Sequence, residues 1–219
     1  LVRLKDVAKL VERVTARKTE LTERLSLLDR LRGSKRGPVK LLDALATLPP
    51  ELAWRFVHIG GGPLLDELKR RAQLLAVADR IAWLGARSQQ DVVQAYRTAD
   101  LFVLACRIAE DGDRDGLPNV LMEAQSQGLA CISTTVSAIP ELIDNGETGL
   151  LVPPDDPAGL ARAIERLIRF PDLRVLLATA GMRRVRSRFS LERGIDRLAR
   201  RFGVEAGANE TCESRSMRR

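Results

Sequence analysis

Two stretches of this 219-residue chain carry residue types whose spacing could hold an anion. One is Gly60-Gly61-Gly62-Pro63, between an apolar β-prone run at 54–59 and a helical pattern over about 64–76. Glycines let backbone approach a ligand closely, and a helix start offers unpaired N–H groups to a negative group. No third glycine follows at the spacing of the dinucleotide fingerprint, and a simple tight turn explains the run as well. The other is Asp115-Gly116-Leu117-Pro118-Asn119-Val120-Leu121-Met122-Glu123-Ala124. Gly116 permits an unusual backbone angle or a close approach, and the amides after it sit where a helix dipole stabilises a diphosphate. Asp115, just before that helix, could accept hydrogen bonds from sugar hydroxyls. Glu123, about two turns inside, could hold a ribose in the same cleft. On composition alone a capping Asp and a surface Glu are the better explanation of the pair. Arg30, Arg32, Lys35 and Arg36 could reach the same phosphates, Arg by forked contacts and Lys as a point charge. A solvated basic turn explains them equally well.

Other chemistries find little support. His58, the only histidine, lies in an apolar run and reads as a packed core residue. No nucleophile elbow accompanies it. Glu110, Asp111 and Asp113 lack the glycine and terminal Glu of a calcium loop. Cys106, Cys131 and Cys212 show no CxxC spacing, which argues against zinc and a disulfide frame and fits a reducing cytosol. Aromatic residues make up 4% of the chain, too few for stacking platforms, so no nucleic acid partner is expected. No run of 18 apolar residues exists to span a membrane, and no signal-peptide core follows the charged N-terminus.

The elements that must position these residues alternate. Strands are expected at 54–59, 81–84, 101–105, 130–133 and 149–152. Helices are expected at 2–14, 39–48, 64–76, 88–97, 118–127, 139–143, 156–168, 173–188 and 191–202. The apolar run 25–28 fits either a strand or a helix end, and 33–38 reads as a loop. This alternation implies βαβ units and an α/β, Rossmann-like three-layer fold, a parallel sheet with helices on both faces. Ligands of such sheets sit at the C-terminal strand edge. The loops of interest are therefore 29–38, 60–63, 84–88, 106–118 and 134–138.

The net charge of +7 is uneven. Residues 1–37 carry +6, 38–170 carry −5 and 171–219 carry +6. The basic flanks could meet phosphate or an anionic membrane surface, although solvated Arg-rich helix faces explain them more simply. Residues from about 205 read as a mobile tail.

Taken together, these residues resemble a known family. The stretches "FVHIGGGPLLDELKRRAQLLAVADRIAWLG", "DVVQAYRTADLFVLAC" and "DGLPNVLMEAQSQGLACISTTVSAIPELIDNGETGLLVPPDD" are similar to the C-terminal, donor-binding domain of retaining GT-B glycosyltransferases, family 4 or "group 1". Within it, "DGDRDGLPNVLMEA" looks most like members that build exopolysaccharide and colanic-acid-type polymers. The likeness spans about residues 25–203. It implies a domain division of 1–24 poorly matched, 25–203 nucleotide-sugar binding, and 204–219 a disordered basic tail.

The resemblance also implies roles. The family has two acids separated by seven residues, here Asp115 near the donor sugar and Glu123 near the ribose. Asp115 is one methylene shorter than the family's usual Glu. Gly116 and the amides of Leu117, Pro118, Asn119 and Val120 would receive the diphosphate. Gly60, Gly61 and Gly62 would form the turn beside the donor, and Leu84, Gly85 and Arg87 would lie near the base. Arg30, with Lys35 or Arg36, would supply the cations, and Asp115 would orient the sugar. The implied reaction moves a sugar, with retention, from a nucleotide-diphosphate sugar to a glycan or lipid-linked acceptor. No metal and no other cofactor is expected. The implied location is cytoplasmic, with peripheral contact at an anionic membrane. The family's N-terminal acceptor domain matches no part of this sequence, so the alternative is a truncated, non-catalytic binding module that needs a partner domain. A nucleotide-sugar epimerase shares the fold and fits the motifs less well.

Overall fold

The computed structural model describes residues 37–108 and 116–189, and the backbone of residues 25–30. Strand β1 is Leu25–Arg30, followed by α1 at Gly37–Ala46, β2 at Trp54–Ile59 and α2 at Leu65–Leu74. A short 3₁₀ turn, Ala78–Arg80, leads into β3 at Ile81–Gly85. Then come α3 (Gln89–Thr98), β4 (Leu101–Leu104), α4 (Asn119–Ser126), β5 (Ala130–Thr134), α5 (Ile139–Leu142), β6 (Leu150–Val152), α6 (Pro157–Arg169) and α7 (Pro171–Arg188).

All described strand pairs are parallel, in the order β3-β2-β1-β4-β5-β6. This is the doubly wound arrangement expected from the alternation. The chain builds outward from β1 to β3, and α3 then returns it to the other side of β1 as β4. The order therefore reverses between β1 and β4, and a crevice opens there at the C-terminal strand ends.

Alternation along the strands feeds two cores. Trp54, Phe56, Leu101, Val103, Ala130 and Ile132 face α1, α2 and α6. Phe102, Leu104 and Cys131 face α3, α4 and the C-terminal half of α7. Every residue of β4 and β5 is buried. That follows from a central parallel sheet covered on both faces, where each strand reads as a continuous apolar run. Each fully buried Leu or Ile contributes about 1.5–3 kcal/mol over its exposed state. Trp54, with no exposed surface, has the Arg80 guanidinium carbon 3.9 Å from its ring centre.

Two helices start two residues before the expected position. Residues 37 and 38 belong to α1 and not to the preceding loop, because proline's fixed φ and missing N–H suit a helix's first turn. The last helix starts at Pro171, two residues early, for the same reason. The ambiguous run 25–28 is strand, pairing with β2 on one side and β4 on the other. The expected helices at 2–14 and 191–202 and the tail lie outside the described residues.

Candidate functional site

At the C-terminal edge the strand ends fall in a row: Gly85, then Ile59 with Gly60, then Arg30, then Leu104 with Ala105. Neighbouring strands lie about 5 Å apart, so the glycine turn after β2 and the segment after β4 flank β1 at roughly 10 Å separation. Leu84 and Arg87, both exposed, lie beyond β2 at the end of β3. The fold thus brings Gly60, Gly61, Gly62 and the 116–123 segment to one edge around the end of β1. Arg30 is the last residue of β1, opposite Ile59. Lys35, Arg36, Asp115 and the acidic residues 110–113 lie outside the described residues.

The glycine turn owes its composition to the backbone. Gly60 donates to the carbonyl of Gly85 at 3.0 Å, closing β2 onto β3 beside an irregularity in register. Gly62 has φ 139°, a conformation side chains rarely adopt. The helix that follows begins at Leu65, capped by no side chain, and its first turn holds Asp66 and Glu67. Those two carboxylates already occupy the positive end of the dipole. Its helix start is therefore poorly suited to the anion that the sequence suggested.

The segment after β4 differs. Gly116 has neither a positive φ nor, among the described residues, any atom within 4 Å of where a Cβ would lie. Of its two expected roles, the unusual backbone angle is excluded and close approach remains. Its carbonyl accepts from the Ala138 amide at 3.2 Å, fastening it to the loop after β5. Pro118 is the N-cap of α4, makes no side-chain cap bond, and is followed by a first turn without acids. Proline has no N–H, so the expected set of amides reduces to Leu117, Asn119 and Val120. Pro118 contributes by fixing the backbone as it enters the helix.

Three ties hold α4 in place. Gln125, fully buried, donates Nε2 to the Thr148 carbonyl at 2.8 Å. Arg97 Nε donates to Gln127 Oε1 at 3.2 Å. The Tyr96 hydroxyl donates to Glu123 Oε2 at 3.4 Å. Glu123 is half-buried. Side chains on a helix lean toward its N-terminus, so this carboxylate sits over the first turn of α4.

A shallow groove opens along the same strand edge on the α1 side. Lys40, Arg107, Thr134, Asp155 and Asp156 line it. Arg107 Nε stands 4.0 Å from Asp155 Oδ1, and Asp155 holds a left-handed φ of 57°. Sequence reading did not single out these residues, nor Tyr96, because only strand order brings their segments together. His58 is a core residue as read, its ring 5.2 Å from that of Trp83. Cys106 and Cys131 are buried and unbridged, and burial pushes the Cys131 thiol far above its ordinary value. Among the described residues no cluster could hold a metal ion, and no helix is long and apolar enough to cross a membrane.

The fold is one Rossmann-like half of a GT-B glycosyltransferase. It superposes on the Anabaena HepE structure in complex with UDP-glucose with a TM-score of 0.73 at 21% identity, over 89% of this chain and 53% of that one. Residues 24–169 match the group 1 glycosyl transferases, and the chain belongs to that family. It is 35% identical over 114 residues to the amylovoran biosynthesis glycosyltransferase AmsK of Erwinia amylovora, covering 52% of this chain and 28% of that protein. It is 30% identical over 154 residues to a GDP-mannose-dependent alpha-(1-6)-phosphatidylinositol monomannoside mannosyltransferase of Mycobacterium tuberculosis, covering 68% of this chain and 40% of that protein. The matched region spans well under half the length of either relative.

Proposed function

We propose that this chain is the donor-binding half of a retaining glycosyltransferase of polysaccharide biosynthesis, taking its sugar from a nucleotide-diphosphate donor. The observation that carries the reading is the start of α4. It is a helix N-terminus with no side-chain cap bond and no acid in its first turn, beside the crevice between β1 and β4, with Gly116 before it and Glu123 one turn inside. A diphosphate there meets the amides of Leu117, Asn119 and Val120 and the helix dipole. The side chains of Arg30 and Lys35 or Arg36 add the cations, and Glu123 accepts from the ribose hydroxyls. Leaving-group departure is then favoured by donors fixed in advance around the developing charge. Asp115 orients the sugar, Leu84 and Arg87 border the base, and no metal takes part. The acceptor is a glycan or a lipid-linked sugar, held by a second domain, with peripheral contact at the inner face of an anionic membrane.

The described residues form one Rossmann-like sheet, and a second reading is a nucleotide-sugar-binding module that transfers nothing until a partner domain joins it. Calorimetric titration of the folded chain with UDP, GDP and their sugar conjugates tests the donor site directly. Saturable binding that survives EDTA and is lost in Glu123→Ala is expected. Failure of the folded chain to bind any of them overturns the reading.

A further inference from the structure

Tyr96 has an environment that its ring alone does not explain. It sits in the second half of α3 with no exposed surface, its ring edge-on to Phe102 at 5.7 Å and 75°. Phenylalanine would fill the same space. The hydroxyl instead emerges from the apolar cluster and meets Glu123 on the neighbouring helix. A buried phenol needs a polar partner, and Glu123 Oε2 stands 3.4 Å from this one.

Glu123 has a long side chain with several rotatable bonds. Ordering such a side chain costs free energy each time a ligand binds. A donor already in place restrains one carboxylate oxygen before the ligand arrives, and a carboxylate's two oxygens can accept from several donors. The tie between Arg97 and Gln127 is one residue further along α3 and four further along α4, so two contacts lock the register of the helices. The hydroxyl is thereby held at a constant place relative to the start of α4.

We propose that Tyr96 is a positioning residue for the nucleotide ribose, setting the Glu123 carboxylate so that it accepts from the 2′-hydroxyl. This rests on the donor-site reading above. It predicts a discrimination between ribose and deoxyribose that packing alone does not produce.

The test titrates the native chain, Tyr96→Phe, Glu123→Gln and the double variant with UDP, GDP and their 2′-deoxy counterparts, after thermal melting shows each to be folded. Tyr96→Phe is expected to weaken the ribonucleotide by about 3- to 10-fold, the range of one lost hydrogen bond to a charged group. It should change the 2′-deoxynucleotide by less than about 2-fold, and the double variant should bind no worse than Glu123→Gln. Equal weakening of both nucleotides, or none, overturns the positioning role and leaves the hydroxyl a packing contact between α3 and α4. If Glu123→Gln itself binds like the native chain, or the native chain binds neither nucleotide, the donor-site reading fails first and takes this inference with it.

Discussion

The turn after β2 and the segment after β4 both place glycine before a helix, yet the structure separates them. Gly62 is required by the chain's own path, since its φ of 139° excludes an ordinary side chain. The helix beyond it carries Asp66 and Glu67 at its positive end. Gly116 is required by nothing within the described residues, neither angle nor neighbour. The first turn of the helix beyond it holds no acid, and its N-cap, Pro118, makes no side-chain cap bond. A glycine that no described residue requires, before a helix whose first turn carries no acid, is the stronger pointer to a ligand. Glycine content alone does not distinguish the two, and the acids of the following turn do.

The largest effect expected is on the α4 side. Glu123→Ala should lower affinity for the nucleotide sugar by about 10- to 100-fold, as loss of a charged acceptor does. Unaltered titration curves would break the contrast at its strong end. On the β2 side the effect should fall on stability. Gly62→Ala should cost about 1–3 kcal/mol in urea unfolding, because the alanine must hold a disfavoured φ or shift the turn. A variant as stable as the native chain would show that the turn relaxes freely.

Gly116→Ala gives the inverse. A melting temperature within about 2 °C of native is expected, because the added methyl meets open space. Nucleotide affinity should fall by roughly 3- to 10-fold, because the methyl stands where the diphosphate approaches. A large loss of stability would place Gly116 with Gly62. The smallest effect is at the first turn of α2. Glu67→Gln should destabilise by about 0.3–0.5 kcal/mol at low salt and less at high salt, as a lost dipole partner does. No dependence on salt would remove the electrostatic difference between the two helices.

Much of the fold was legible from pattern. The β2 run, the Ser88 cap whose Oγ accepts from the Asp91 amide at 3.2 Å, and the glycine stop at Gly128 follow from local rules of burial and capping. The run 25–28 was not decided, because a short apolar stretch has no period of its own. Its neighbours in the sheet made it a strand. At the site, the two glycine stretches and Glu123 were visible as residue types at helix starts. The missing amide of Pro118 is legible as well, since proline carries no N–H. Tyr96, Lys40, Arg107 and Asp155 were not visible as site neighbours, since each lies in a different segment and is unremarkable there.

The sequence by itself determined the alternation of strand and helix, the burial of the central strands, and which loops hold the polar and glycine residues. These depend on interactions within a few residues, or on a period that any covered sheet imposes. The tertiary structure alone decided the strand order, and with it the crevice between β1 and β4 and the pairing of Tyr96 with Glu123 across 27 positions of chain. Such contacts depend on where whole elements dock, and docking is set by the summed fit of two cores, which no single stretch of sequence contains.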